Sequence, residues 1–171
     1  GRARGVRLGL QPHASNTIGI ELYRWSAALA TRLGLPICTH LAETPEEREF
    51  VARGAGPQRA FLEALGLWED RVLEDVGRGQ TPVGRLAPVI AAGLRTLVHV
   101  NDASDADIET LARAGATVVY CPRAAAYFGA EQALGPHRYR EMLVAGAPVA
   151  LGTDSIVNLP PEALAEGIST W

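Results

Sequence analysis

The stretch Leu35-Pro36-Ile37-Cys38-Thr39-His40-Leu41-Ala42-Glu43-Thr44-Pro45-Glu46-Glu47 passes from an apolar run to a helix start within a few residues. Residues 37–41 predict a strand, and Pro45 followed by two carboxylates is typical of the first turn of a helix. His40 and Glu43 therefore lie where a strand gives way to a helix. A histidine that binds a metal and a carboxylic acid that moves protons can together activate water, which is the first hypothesis for this chain.

The same alternation of strand and helix patterns continues along most of the 171 residues. Apolar runs and helical periodicity predict strands over residues 5–10, 37–41, 96–100, 117–121 and 149–151, and helices over residues 17–33, from 45, 58–65, 82–92, 104–114 and 138–145. Strands that alternate with helices pair in parallel, and a run such as Thr117-Val118-Val119-Tyr120 is apolar on both faces, as buried parallel strands are. The predicted fold class is α/β.

Five βα units without a Gly-rich phosphate loop after the first strand favour a TIM barrel over a doubly wound sheet. A complete (β/α)8 barrel needs about 250 residues, so residues 1–171 are expected to form one partial barrel domain. The first residue is not Met, and a helical pattern begins at Pro161, close to the last residue. We therefore expect the chain to be a fragment.

The composition predicts a globular, cytoplasmic protein. Hydrophobic residues make up 47% and charged residues 20% of the chain, and its formal net charge is −3. The arginines are scattered, and no run approaches the ~18 apolar residues of a membrane span, so neither nucleic acid nor a membrane is an expected partner. All 16 basic residues are Arg, which excludes a Schiff-base lysine or a modified-lysine metal bridge within this chain. Cys38 and Cys121 lack CxxC spacing and are expected to be reduced packing residues.

Polar residues collect at the ends of the expected strands. Three of the four histidines, His13, His40 and His99, end or follow a strand, and Asp154 follows the last one. Taken singly, each histidine is more plausibly a hydrogen-bonded structural residue, and Asp154 is as plausibly a turn residue. Their shared position favours one joint site, because the active groups of a barrel lie at the C-terminal ends of its strands.

Strand alternation orients these residues further. It predicts a common face for each of three groups: Cys38 with His40, Leu97 with His99, and Ala150 with Gly152 and Asp154.

Five segments follow one another in a characteristic order: Pro12-His13-Ala14, Thr39-His40-Leu41-Ala42-Glu43, Val98-His99, Val119-Tyr120-Cys121-Pro122-Arg123 and Leu151-Gly152-Thr153-Asp154-Ser155. Their order and spacing resemble the amidohydrolase superfamily, in the branch that contains S-adenosylhomocysteine, guanine and aminodeoxyfutalosine deaminases and triazine chlorohydrolases. The resemblance covers nearly the whole chain. It implies the C-terminal part of a TIM barrel, about strands 4 to 8, and a metal-dependent hydrolase that acts on non-peptide C–N bonds.

The resemblance also implies a role for each strand-end residue. His40 binds a divalent metal ion from the fifth strand, usually zinc with iron as the alternative, and Asp154 binds it from the eighth. Glu43 shuttles protons, His99 orients or polarises the substrate, and His13 contacts the substrate. The His-x-His pair that the family supplies from its first strand is absent from this sequence, because the matching region would lie upstream of Gly1. The lack of lysine favours a site with one metal ion.

These parts predict the deamination of an aminated purine-like heterocycle or nucleoside by a metal-activated water. Asp154 accepts the proton of the water, and Glu43 protonates the leaving nitrogen. Two alternatives stay open: a triazine-type chlorohydrolase or aminohydrolase, and a non-catalytic half barrel that serves as a binding or assembly module. Because two metal ligands are missing, residues 1–171 alone are expected to be inactive. Exposed strand edges favour self-association into a homo-oligomer.

Overall fold

Four short parallel strands form one sheet in the order in which they occur in the sequence. The computed structural model describes residues 7–155, and in that range the strands are β1 (Cys38–Leu41), β2 (Thr96–His99), β3 (Thr117–Tyr120) and β4 (Val149–Leu151). Their parallel register places Cys38 opposite Thr96 and Val118 opposite Val149. The chain before β1 adds two isolated parallel bridges, Leu10 with Ile37 and Ala14 with His40. The predicted α/β class with parallel strands is confirmed.

Helical segments connect the strands. They are α1 (Ile20–Leu33), α2 (Pro45–Arg53), α3 (Pro57–Ala64), a 3-10 helix (Asp70–Glu74), α4 (Pro82–Ala91), α5 (Asp105–Ala114), α6 (Pro122–Tyr127), α7 (Ala130–Leu134) and α8 (Tyr139–Val144). Local chemistry sets several of their ends. The side chain of Thr44 accepts from the N–H of Glu47 at the start of α2, and Ser104 forms a capping box with Asp107 at the start of α5. Such caps satisfy N–H groups that the helix itself leaves unpaired.

The hydrophobic core lies between the sheet and the helices. Leu41 from β1, Leu97 from β2 and Val118 from β3 are fully buried and pack with Tyr23 of α1 and Leu86 of α4. Each such aliphatic side chain contributes about 1.5–3 kcal/mol when it is fully buried. Residues at the first and third positions of β1, β2 and β3 are only half-buried. The sheet therefore has one face packed on helices and one more open face.

The structure changes three expected elements. The expected helix from Thr17 begins at Ile20, because Gly19 is extended, with φ −67° and ψ 150°. Residues 5 and 6 of the expected strand over residues 5–10 lie outside the described residues. In the described part of that segment, Leu10 forms one isolated bridge, with Ile37. Between β3 and β4, α6 and α7 were not predicted. The helical pattern from Pro161 lies outside the described residues.

Two further expectations concern membranes and thiols. No helix within residues 7–155 is long and apolar enough to span a bilayer. Cys38 and Cys121 are both free thiols, and Cys121 is buried, in agreement with the expected packing role.

Candidate active site

The C-terminal ends of β1 and β2 bring three of the predicted residues together. Leu41 pairs with His99 in the sheet, so the residues around them are neighbours. The rings of His40 and His99 stack with their centroids 5.5 Å apart. Nε2 of His99 lies 3.4 Å from Oε1 of Glu43, and the ring of His13 lies 5.2 Å from that of His40.

Strand alternation does not explain how His99 reaches His40. Leu97 is fully buried in the core on the helix-covered face, whereas the His99 ring stacks on His40, which belongs to the other face. The reason is a left-handed backbone at the end of β2, where φ is 74° for His99 and 53° for Val100. Such values are uncommon for any residue other than glycine and costly for a β-branched one. The prediction that the side chains of Leu97 and His99 lie on the same face of the sheet is therefore wrong.

Burial holds the His99 ring neutral. Its side chain is 2% exposed, and desolvation lowers its pKa to about 4, with the Asp154 carboxylate opposing this shift and His40 and His137 adding to it. The contact between His99 and Glu43 therefore joins a neutral imidazole to a carboxyl group and is not an ion pair at pH 7. On the backbone side, Nε2 of His137 donates to the carbonyl oxygen of His99 at 2.9 Å.

The Glu43 carboxyl group has its pKa raised. Desolvation is the main cause, the nearby Glu47 and Asp154 carboxylates add to it, and His40 opposes it. The Glu43 backbone is held on both sides. Its N–H donates to Oε2 of Glu47 at 2.7 Å, and its carbonyl oxygen accepts from Nδ2 of Asn101 at 3.0 Å. The residue is thus fixed at its main chain while its carboxyl group stays close to His99.

The hydrogen bonds of His40 leave its Nε2 available as a ligand. Nδ1 of His40 lies 2.9 Å from the carbonyl oxygen of His13. A carbonyl oxygen only accepts, so Nδ1 carries the proton and Nε2 carries the free lone pair. This backbone contact on the distal nitrogen is typical of histidines that bind metals.

Asp154 follows β4 and acts electrostatically on the same site. Its charge affects the pKa values of Glu43, His99 and Cys121. Its own backbone is left-handed, with φ 58°. Two residues earlier, Gly152 passes close to β3, since a Cβ there would lie 2.8 Å from Cγ1 of Val119.

The donor set fits a metal ion only in part. His40 and Asp154 supply an imidazole nitrogen and a carboxylate, both common ligands of zinc, but a catalytic zinc site uses three protein ligands. Among residues 7–155 no group of three or more His, Cys, Asp or Glu side chains is arranged to hold a metal ion. His40 and Asp154 are therefore candidate ligands only. His13 lies at the exposed rim, where its Nδ1 contacts the Thr17 hydroxyl at 2.8 Å.

Three buried polar residues around the site were given no role in it from the sequence. Glu47, Asn101 and His137 contact the main chain of Glu43 or His99. The spacing Thr44-x-x-Glu47 matches a capping box and could have drawn attention to Glu47. His137 lies in Pro136-His137-Arg138-Tyr139, where the sequence favours a helix-start residue. No sequence pattern marks Asn101, whose contact exists only in the folded chain.

Comparison with known proteins identifies the class. Residues 2–170 match the amidohydrolase family, and the chain belongs to that family. It is 35% identical over 167 residues to the aminodeoxyfutalosine deaminase of Deinococcus radiodurans, a match that covers 90% of this chain and 37% of the relative. It is 30% identical over 154 residues to the 5-methylthioadenosine/S-adenosylhomocysteine deaminase of Pyrococcus furiosus, covering 90% of this chain and 30% of the relative. The chain thus spans about a third of the length of these relatives.

Solved structures confirm the fold. The aminofutalosine deaminase of Helicobacter pylori superposes with a TM-score of 0.71 at 18% identity, over 96% of this chain and 40% of that protein. The adenosine deaminase of Xanthomonas campestris, which was solved with bound zinc, superposes with a TM-score of 0.59 at 24% identity, over 91% of this chain and 30% of that protein. The chain superposes on only part of each of these proteins, which confirms the prediction that it forms part of a TIM barrel.

Proposed function

We propose that this chain carries the C-terminal part of the active site of a metal-dependent deaminase that acts on an adenosine-type nucleoside. The observation that supports this most directly is the meeting of Glu43 with His99, 3.4 Å apart, beside the His40 ring and within the field of Asp154. A proton-transferring acid, a neutral hydrogen-bonding ring and two metal-binding groups are the parts that hydrolysis of a C–N bond needs.

The substrate class rests on the relatives. The names of the two relatives described above refer to deaminases, one of them acting on adenosine derivatives. A 5′-deoxyadenosine deaminase of Methanoregula boonei is also 30% identical over 148 residues. The common chemistry is replacement of a purine amino group by oxygen, with water consumed and ammonia released.

His40 and Asp154, together with further ligands, would hold a divalent metal ion, which would supply the nucleophile as a bound water of lowered pKa. Glu43 suits both directions of proton transfer, because its raised pKa lies closer to neutral pH than that of an ordinary carboxylic acid. It takes a proton from the attacking water and delivers one to the leaving nitrogen. Neutral His99 donates a hydrogen bond to the substrate as charge develops. Asp154 accepts the remaining proton of the water and passes it to the ring nitrogen of the purine, so that both carboxyl groups return to their starting state.

The test uses the protein expressed from its complete open reading frame and loaded with Zn²⁺. We expect ammonia release from 5′-methylthioadenosine or 5′-deoxyadenosine, and loss of that release after treatment with a chelator. Absence of ammonia release from any adenine or guanine nucleoside would overturn the proposal. Chloride release from a chlorinated triazine, without nucleoside deamination, would assign the site to the chlorohydrolase branch instead.

A further inference from the structure

Glu47 is a buried carboxylate that lies behind the site rather than in it. It belongs to the first turn of α2 and is 3% exposed. Its Oε1 accepts hydrogen bonds from the N–H of Ala42, at 2.9 Å, and from the hydroxyl of Ser15, and its Oε2 accepts from the N–H of Glu43, at 2.7 Å. A buried charge is tolerated only when it is well bonded, and here three donors surround it.

The contacts of Glu47 fall on a strained turn. Ala42 has a φ of 52°, in the left-handed region that residues other than glycine seldom adopt. Successive N–H groups in such a turn point to one side and form a concave site for an anion. The carboxylate of Glu47 occupies that site from within the same chain, so it stabilises the conformation that turns Glu43 back towards His99.

Glu47 also joins two loops of the site. Ser15, 1% exposed, follows His13 by two residues and belongs to the loop before α1. The carbonyl oxygen of Ser15 accepts from the buried Arg85, whose guanidinium forms an ion pair with Asp75 at 2.6 Å. The rim that carries His13 and the turn that carries Glu43 are therefore tied to a common buried network.

We propose that Glu47 is a positioning residue, which holds the left-handed turn at Ala42 and thereby sets the Glu43 carboxyl group against His99. This inference rests on the proposed function for the role of Glu43 as the proton-transferring group. Glu47 itself touches none of the reacting atoms.

The first test is the variant Glu47→Gln. Its side-chain NH₂ group cannot accept a hydrogen bond, so at least one of the three contacts is lost while the size of the side chain is kept. Because a small misplacement of a catalytic group costs up to about 100-fold in rate, we expect kcat to fall about 10- to 100-fold with KM nearly unchanged. The matched control is Glu46→Gln, which removes an exposed carboxylate from the same helical turn and should leave kcat at the wild-type value.

A second readout does not depend on activity. Hydrogen exchange followed by NMR reports directly on the Ala42 and Glu43 amides, which should lose protection in Glu47→Gln and keep it in Glu46→Gln. Unchanged protection of both amides in Glu47→Gln, or an equal loss of kcat in the two variants, would overturn the inference. If the wild-type protein releases no ammonia, the proposed function fails, and the amide protection alone decides whether Glu47 holds the turn.

A third variant covers the case in which Glu47→Gln does not fold. Ser15→Ala removes the hydroxyl that shares Oε1 with the N–H of Ala42 and leaves the carboxylate in place. We expect a smaller loss of protection at Ala42 together with a smaller loss of kcat. Protection and kcat equal to those of the wild type in this variant would count against a positioning network.

Discussion

Glu43 and His99 share one small volume, and burial moves their pKa values in opposite directions. Desolvation favours the uncharged form of either group. It therefore raises the pKa of the Glu43 carboxyl and lowers that of the His99 imidazole. A carboxyl group whose pKa is raised by burial thus lies beside a ring that stays neutral. Such a pair suits the roles of proton shuttle and hydrogen-bond donor.

Replacing Glu43 by glutamine tests the first of these roles. Gln keeps the size of the side chain but cannot transfer a proton, so we expect Glu43→Gln to lower kcat for nucleoside deamination by about 10²- to 10⁴-fold. Metal content should be unchanged, because Glu43 is not a proposed ligand. Steady-state kinetics together with zinc analysis would check both statements. Near wild-type kcat in the variant would remove Glu43 from the mechanism.

The pKa of His99 predicts a pH dependence of stability. The unfolded chain binds a proton at His99 below about pH 6.5, whereas the folded protein does so only below about pH 4. The neutral His99 ring therefore contributes to the stability of the folded protein above about pH 6.5, and this stability is lost as the pH falls from 6.5 to 4. A difference of that size corresponds to about 3 kcal/mol in the free energy of unfolding.

Urea unfolding in the presence of EDTA, at several pH values between 4 and 7, measures this slope. The variant His99→Asn carries no titrating ring and should lose less stability over the same range. Equal slopes for the wild-type protein and the variant would show that His99 is not a buried neutral ring.

At the scale of elements, the features that depend on local sequence were predictable. Ser104 and Pro45 marked helix starts, and the four strands of the sheet fell within the predicted runs. The placement of His99 was not predictable in the same way. It depends on left-handed φ values at His99 and Val100, which alternation does not contain and which the folded surroundings must stabilise.

The approach of β4 to β3 gives a prediction about Gly152. An added Cβ would lie 2.8 Å from both Sγ of Cys121 and Cγ1 of Val119, so Gly152→Ala forces one of these groups to move. Overpacking of this kind costs about 1–3 kcal/mol. Because Asp154 follows two residues later, we also expect lower zinc affinity and lower deaminase activity.

Chemical denaturation and zinc titration of Gly152→Ala would measure the two effects. Gly19→Ala provides the control, since the nearest atom to its added Cβ, Oδ2 of Asp75, is 3.8 Å away and Gly19 has a φ of −67°. Zinc affinity that is unchanged in Gly152→Ala despite lower stability would separate the packing of β4 from the position of Asp154.

At the scale of the whole molecule, the described sheet is an arc of a barrel. One face is packed on helices, while residues such as Val98 and Val119 on the other face are only half-buried. The chain covers 37% of the Deinococcus radiodurans relative. Sequence could predict this arc because each βα unit has its own local pattern. The sequence could not predict which side chains would pack against Val98 and Val119 in a complete barrel.

Metal binding is the property in which this partial barrel should differ most from a complete one. His40 and Asp154 are two candidate ligands, and residues 7–155 hold no group of three or more potential ligands arranged around a metal ion. Since a catalytic zinc site uses three protein ligands, we expect the polypeptide of residues 1–171 to bind Zn²⁺ weakly, with a dissociation constant in the micromolar range or above.

Isothermal titration of metal-free protein would measure this affinity, and His40→Ala should abolish the binding that remains. If the product of the complete open reading frame holds further metal ligands, it should bind one equivalent of Zn²⁺ far more tightly. Tight, stoichiometric binding by residues 1–171 alone would contradict this assignment, because it would require a complete ligand set among these residues. Equally weak binding by the product of the complete open reading frame would instead favour a non-catalytic half barrel.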